Sequence, residues 1–177
     1  LGIGSALAAD AVDAKDATLS WPFNKGADNA SAADVSVPEA VSTTSFAYGS
    51  KLFANGVQNS LSKLNPTEKI SNARDNACYV AFTVVPKKGV SFTPAKLTFN
   101  SQKFGTSGGT LDVVATCGDK TIELLKGFNP ERNSASSSEL DLTALQTVDQ
   151  KVELIFYIYN LAANKQFGLG NVVVTGH

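Results

Sequence analysis

The chain has 177 residues, of which 43% are hydrophobic and 18% charged, and its formal net charge is −1 at pH 7. That length suits one domain with a core of its own. A nearly balanced charge supplies no long-range field to collect nucleic acid or an anionic membrane surface, so we expect neither as a partner. Every apolar stretch is too short to span a bilayer, so we also expect no membrane insertion.

The first ten residues, LGIGSALAAD, are small and apolar, and ALAAD is typical of the end of a signal peptide at its cleavage site. An interdomain linker or a cloning remnant is the alternative. We therefore interpret residues 1–15 as a leader remnant or linker and residues 16–177 as a single domain. The expected location is secreted, periplasmic or at the cell surface.

Apolar and polar residues alternate along most of the chain, which is typical of strands half buried in a sheet. Leu19, Trp21 and Phe23 share one face of the first such segment, so we predict that they lie in the core. Lys151–Leu161 is apolar on both faces, as a central strand of a sandwich is. The predicted strands are, in chain order, Ala17–Phe23, two segments within Ala33–Phe53, Cys78–Pro86, a segment of Val90–Phe104 beyond Pro94, Thr110–Cys117, Thr121–Phe128, Lys151–Leu161 and Gly168–Gly176.

Three stretches lack a clear strand pattern. Ala54–Ala77 predicts the longest irregular region, with one helical turn near Pro66–Ile70. Asn129–Ser138 predicts a loop, and Glu139–Gln150 fits either a short helix or a strand followed by a turn. Since no stretch carries a long amphipathic helix, we predict an all-β fold, a jelly-roll-like β-sandwich of about eight to ten strands, with a barrel as the alternative.

The glycine-rich segment FGTSGGT, Phe104–Thr110, raises the question of phosphate binding. A P-loop has a strand before its glycines, a helix after them and a Lys-Ser/Thr pair at the start of that helix. Here the alternating LDVVATC follows and no such pair occurs, which excludes a P-loop. We predict a connection between two strands, with Gly108 and Gly109 at positive φ.

The sequence carries no pattern of catalytic or metal-binding residues. Its single histidine, His177, is the last residue, so a serine or cysteine triad lacks a base. Cys78 and Cys117 are not spaced as zinc ligands, and either a disulfide or two buried thiols fits them. We interpret most of the sixteen acidic residues as solvated surface charges, although two acids facing each other in a groove would permit a glycan-active enzyme. We predict no enzyme, no metal and no cofactor.

Candidate ligand contacts are charged and amide side chains on loops, together with aromatic rings beside them. Such sets recognise sugars, because rings stack on pyranose faces and cationic side chains pair with uronate carboxylates. A solubilising surface residue is the alternative for each polar candidate, and core packing is the alternative for each ring. The predicted ligand-binding residues are Arg74 in NARDN, Lys103 beside the glycine loop, Arg132 and Asn133 in PERNS, and Tyr79 and Tyr157 on strands.

Five segments, taken in order, resemble β-sandwich accessory modules of secreted bacterial pectate-lyase-type polysaccharide-degrading proteins. They are ATLSWPFNKG, FTVVPKKGVSFTPAKLTF, KFGTSGGTLDV, FNPERN and FYIYNLAANKQFGLGNVVVTG, and the resemblance covers residues 16–176. It implies a non-catalytic, carbohydrate-binding-module-like domain, tethered to enzyme domains of the same protein, with a polysaccharide or oligosaccharide of the pectin type as ligand. Lys103, Arg74 and Arg132 would then pair with galacturonate carboxylates. The alternative is a structural spacer or a cell-surface adhesion domain that binds no sugar.

Overall fold

The computed structural model describes residues 17–23, 33–36, 41–89, 92–145 and 150–177. In these ranges the chain forms two antiparallel sheets and one short 3-10 turn, Thr143–Leu145, which confirms the predicted all-β sandwich. None of the described residues belongs to a helix long and apolar enough to cross a membrane. The strands are β1 Ala17–Trp21, β2 Asp34–Val35, β3 Val41–Tyr48, β4 Leu52–Gln58, β5 Leu61–Pro66, β6 Tyr79–Pro86, β7 Pro94–Phe104, β8 Gly108–Cys117, β9 Lys120–Phe128, β10 Ser136–Asp141, β11 Val152–Leu161 and β12 Gln166–Gly176.

The larger sheet has seven strands and is built around β12. One edge of β12 pairs with β7, which in turn pairs with β10. The opposite edge is shared, because β5 pairs with its first half and β1 with its second half. The smaller sheet has the order β3-β6-β11-β8-β9, so β11 is its central strand, as the two-sided apolar pattern of Lys151–Leu161 predicted.

The core is a layer of aromatic rings between the two sheets. Phe82 of the smaller sheet lies against Trp21 of the larger sheet, with ring centroids 5.3 Å apart. Phe99 and Phe156 meet in the same way at 5.1 Å. Trp21 is only 1% exposed, and Leu19 and Phe23 are also buried, so their predicted core positions are confirmed.

The prediction of an irregular region over residues 54–77 is wrong. Most of β4 and all of β5 lie there as a hairpin, turning at Asn59 and Ser60 with φ angles of 53° and 61°. The sequence of β5 lacks the alternation of apolar and polar residues because this strand is buried on both faces. Its buried residues include the polar Ser62 and Asn65. Residues 66–70, all described, contain no helical turn, and Ile70 instead forms a bridge to β11.

The remaining predicted boundaries hold with small shifts. The glycine segment joins β7 to β8 as predicted, with positive φ at Gly105 and Gly109, whereas Gly108 has none. Of the two alternatives for residues 139–150, the strand and turn are present, since β10 runs to Asp141 and the 3-10 turn follows. Residues 1–15, interpreted as a leader remnant or linker, and residues 37–40, within the range predicted to hold two strands, lie outside the described residues.

Cys78 and Cys117 are buried thiols that no disulfide joins. The carbonyl of Cys78 accepts a hydrogen bond from the amide of Ile158, whereas Cys117 pairs with Val152. Ile158 and Val152 lie near opposite ends of β11, a separation of about 20 Å at the usual rise of a strand. A disulfide needs Cα atoms within about 7 Å, so the sheet register keeps these two residues apart.

We expect both thiols to be inert in the folded chain. Burial raises the pKa of the Cys78 thiol to about 12, with a smaller contribution from Asp75, so the reactive thiolate is scarce at neutral pH. Neither cysteine should react with a disulfide reagent in native buffer, and both should react in guanidinium chloride without a reductant. Rapid labelling of the native chain, or unreactive thiols in the denatured chain, would contradict this expectation.

Candidate functional site

The structure divides the six predicted ligand-binding residues between two surfaces. Lys103, Arg132 and Asn133 line one cleft at an end of the sandwich, which we call the loop-end cleft. Tyr157 contacts both Arg74 and Tyr79 on the outer face of the smaller sheet. We call this second group, together with Asp112, Glu123 and Tyr159, the sheet-face cluster. The role of all six residues as ligand contacts stays a prediction.

The loop-end cleft has a volume of about 480 Å³ and is rich in cations and amides. Four connections surround it, β4–β5, β7–β8, β9–β10 and β11–β12, together with the ends of β4, β7 and β12. No carboxylate lines it among the described residues. Its lining is Gln58, Asn59, Gln102, Lys103, Phe104, Gly105, Arg132, Asn133, Lys165 and Gln166.

Gln102 holds the walls of the cleft together. Its amide nitrogen donates to the carbonyl of Arg132 at 2.9 Å, and its amide oxygen accepts from Asn59 Nδ2 at 3.0 Å. The backbone amide of Lys103 also donates to the carbonyl of Glu131 at 3.0 Å. These bonds fix the loop of Arg132 and the β4–β5 turn against β7, so the cleft is preformed.

The three cations of the cleft, Lys103, Arg132 and Lys165, form no ion pair with any described residue. The stem of Lys165 crosses Gly105, where a Cβ atom would lie 2.8 Å from its Cδ. A Cβ at Gly168 would lie 2.7 Å from Cε2 of Phe104, so the absence of a side chain there lets this ring lie against β12. The result is a positively charged cleft with one aromatic ring in its wall.

Lys165 and Gln102 are missing from the predicted set for different reasons. Lys165 lies between the predicted strands Lys151–Leu161 and Gly168–Gly176, and only the folded hairpin brings it into the same cleft as Lys103. Gln102 is 3% exposed, and its position within a strand gave no signal of a role in a loop.

The sheet-face cluster is organised by Asp112, which is 2% exposed although most acids were predicted on the surface. Its Oδ2 accepts a hydrogen bond from Arg74 Nε at 2.9 Å, and Arg74 Nη2 lies 2.8 Å from the same oxygen in an ion pair. Its Oδ1 accepts from the amide of Gly127 at 2.7 Å and the Tyr159 hydroxyl at 2.9 Å. The signal in the sequence was an acid in the middle of a predicted strand, in TLDVV. In the fold, Tyr159 of β11 and Arg74 cover this acid.

These hydrogen bonds decide the charge of Asp112. Burial alone would raise the pKa of its carboxyl, but the bonds from Gly127, Arg74 and Tyr159 outweigh burial and hold the pKa below its usual value. Burial likewise opposes the charge of Arg74, and its carboxylate partners nevertheless raise the pKa of the guanidinium. The pKa of Tyr159 is raised by burial and by its bond to Asp112. The cluster is therefore an ionised pair with a neutral tyrosine.

Aromatic rings flank this ion pair, but they do not form a flat platform. The guanidinium of Arg74 lies 4.8 Å from the ring centroid of Tyr157 and so covers that face. Tyr79 lies 6.0 Å from Tyr157, with the two ring planes 62° apart. A Cβ at Gly49 would lie 2.7 Å from Cδ1 of Tyr79, so this glycine gives the Tyr79 ring its place. Beside the rings is a cavity of about 380 Å³, lined by Asn72, Ala73, Arg74, Asp112, Glu123, Lys126 and Tyr159.

No group of three metal-ligating side chains occurs among the described residues. No family model matches the sequence, and no curated protein matches it either. Among solved structures, the chain is similar to a family 29 carbohydrate-binding module at 12% identity, with a TM-score of 0.49 over 89% of this chain and 88% of that chain.

Two variants of a family 29 module are similar to the same extent. One, complexed with cellulohexaose, matches at 13% identity and a TM-score of 0.48, over 89% of this chain and 91% of that chain. The other, complexed with mannohexaose, matches at 14% identity and a TM-score of 0.47, over 90% of both chains. At such identities and scores the likeness does not bear on what this chain binds, and that question rests on its own side chains.

Proposed function

We propose that this chain is a non-catalytic carbohydrate-binding module that takes an acidic polysaccharide of the pectin type in the loop-end cleft. The observation that supports it is the meeting of Lys103, Arg132 and Lys165 around one cleft that also holds amides and the ring of Phe104, with no carboxylate partner among the described residues. Cations at this density repel one another, and an anionic ligand relieves that repulsion.

The side chains of the cleft match the chemistry of a polyuronate. Each uronate residue carries one carboxylate, which an arginine such as Arg132 binds through two parallel hydrogen bonds and a lysine binds as a point charge. The amides of Asn59, Asn133 and Gln166 offer donors and acceptors to hydroxyl groups. Phe104 supplies an apolar ring on which a pyranose face can stack.

The two acids that share a cavity do not support a catalytic role. Asp112 and Glu123 line one cavity, as the two acids of a glycosidase would, but both are paired with Arg74. Glycoside hydrolysis needs one carboxyl with a raised pKa to protonate the leaving group. The pKa of Asp112 is lowered instead, and both of its oxygens are occupied by donors.

As a module, the domain would act by proximity. Binding of a polymer raises the effective concentration of any enzyme domain on the same chain at that polymer. The five segments that resemble accessory modules of polysaccharide-degrading proteins favour this arrangement, and they favour a secreted, periplasmic or cell-surface location. A spacer or adhesion domain that binds no sugar is the competing function.

The test is calorimetric titration of the whole chain with oligogalacturonate, with neutral glucan and mannan oligosaccharides as controls. Charge-assisted hydrogen bonds contribute about 1.5–3 kcal/mol each, so Arg132→Ala should weaken oligogalacturonate binding about 10- to 100-fold. Affinity should also fall as salt rises, because salt screens charges. Lys88→Ala is the matched control, since it removes one exposed positive charge from the turn after β6.

Two results would overturn the proposal. If Lys88→Ala lost as much affinity as Arg132→Ala, the binding would reflect net charge in general and not the loop-end cleft. Absence of binding to any acidic or neutral glycan would favour the spacer or adhesion function.

A further inference from the structure

We infer that the sheet-face cluster is a second ligand site, separate from the loop-end cleft, and that it takes an uncharged sugar. The charges at its cavity balance, since Arg74 and Lys126 stand against Asp112 and Glu123. The loop-end cleft, by contrast, is lined by three cations and no carboxylate among the described residues. A site whose charges balance has no electrostatic preference for a uronate. It still offers hydrogen-bond donors and acceptors to a neutral ligand.

The buried half of the cluster is saturated, which leaves its outer half for a ligand. Three hydrogen bonds and the ion pair with Arg74 occupy the two oxygens of Asp112, so the guanidinium of Arg74 is held in one orientation. Arg74 Nη1 and Glu123 Oε2 take no part in the ion pairs of the described residues. They face the same cavity as the side chains of Asn72 and Lys126.

This set suits neighbouring hydroxyl groups on a sugar ring. Each hydroxyl can donate one hydrogen bond and accept others, so it needs both kinds of partner nearby. Arg74, Lys126 and Asn72 donate, whereas Glu123 and the oxygen of Asn72 accept. Because Asp112 fixes Arg74 before any ligand arrives, little side-chain entropy is lost on binding.

The rings limit the shape of the ligand. Tyr157 is covered on one face by Arg74, and the plane of Tyr79 is turned by 62° from it. A crystalline surface needs coplanar rings, which this site lacks among the described residues. The cavity of about 380 Å³ has room for one sugar unit, and the aromatic residue in its lining is Tyr159, beside Asp112 and Glu123. The ligand is therefore a soluble neutral oligosaccharide or a single exposed chain.

Stability alone does not account for the cluster. Removing two charges from water costs free energy that their attraction only partly returns, and apolar residues of similar volume often serve a fold as well. The outer face of the same sheet has such residues elsewhere, at Val114 and Ile155. An ion pair that stands in a cavity with exposed partners is a candidate binding site.

The experiment is an NMR titration of the whole chain with neutral gluco-, manno-, xylo- and galacto-oligosaccharides, followed by calorimetry with the one that binds. We expect Asn72→Ala and Glu123→Gln, which both change residues that line the cavity, each to weaken that binding about 10-fold or more, while oligogalacturonate affinity stays unchanged. Glu153→Gln is the matched control. Glu153 lies on the same face of β11 as Tyr159 but does not line the cavity, and it makes no ion pair among the described residues.

The outcomes separate this site from the proposed function. Loss of neutral-sugar binding in Arg132→Ala would place that sugar in the loop-end cleft and overturn the inference. So would the absence of binding to every neutral sugar, or a lower melting temperature in Asn72→Ala with unchanged affinity. Failure of oligogalacturonate binding, in turn, would overturn the proposed function and leave this inference standing.

Discussion

Asp112→Asn should lower the free energy of unfolding by about 3 kcal/mol, the low end of the range for breaking a buried ion pair. The substitution keeps the shape of the side chain but removes the charge that balances Arg74, and its amide nitrogen cannot accept a hydrogen bond. Arg74 retains Glu123, which keeps the loss at the low end. For a chain of this size the melting temperature should fall by about 6–12 °C.

Urea unfolding of Asp112→Asn and Glu123→Gln, measured side by side, separates the two carboxylates of the ion pair. Glu123 is 40% exposed, so its substitution should cost less than about 1 kcal/mol. A matching loss in both variants would show that burial of Asp112 does not matter. A small effect of Glu123→Gln also makes that variant suitable for the sugar titration, because a change in binding would then not follow from unfolding.

The loss of unfolding free energy in Asp112→Asn should also depend on pH in a defined direction. The pKa of Asp112 is lower in the folded chain than in the unfolded chain, where it is about 3.9. Its contribution is therefore complete above the unfolded value and is lost as pH falls through the folded value. The difference in unfolding free energy between wild type and Asp112→Asn should be constant near neutral pH and shrink below about pH 4. A difference that stays constant in acid would contradict this account.

Strands were predictable where their own residues show which faces are buried, and β11 is an example. Its apolar residues on both faces can be read without knowing its neighbours, and the structure places it at the centre of the smaller sheet. β5 was missed because its burial is decided by distant residues. Leu61 packs against the backbones of Gly168 and Gly170, and a buried Ser62 donates its hydroxyl to the carbonyl of Phe23.

The individual residues of the two candidate surfaces were predictable from the sequence, but their division into two groups was not. Arg74, Lys103 and Arg132 were recognised one by one as cations on loops or beside turns. Their partition depends on contacts that are distant in sequence, such as the bond between Arg74 and Asp112, which are 38 residues apart. A pattern of period two shows which face a side chain occupies, but not which loops meet at the end of a sandwich.

The second large effect should come from Gly109→Ala, in the glycine segment that first suggested a phosphate loop. Gly109 has a φ of 111°, and a Cβ there would lie 2.8 Å from Cδ2 of Phe167 and 3.2 Å from Cγ2 of Ile158. Both neighbours are fully buried, so neither can move freely. Positive φ costs about 1–2 kcal/mol for a residue with a side chain, and overpacking adds about 1–3 kcal/mol. We expect a total loss of about 2–5 kcal/mol in unfolding free energy.

Gly89→Ala isolates the backbone part of this loss. Gly89 has a φ of 81° and no atom within 4 Å of its added Cβ, so only the cost of positive φ applies. Equal losses in the two variants would show that packing against Phe167 contributes nothing. A larger loss in Gly109→Ala has a functional consequence, because Phe167 pairs with Lys103 across β7 and β12. A displaced Phe167 should then weaken oligogalacturonate binding as well, which connects the glycines to the loop-end cleft through packing and not through a phosphate.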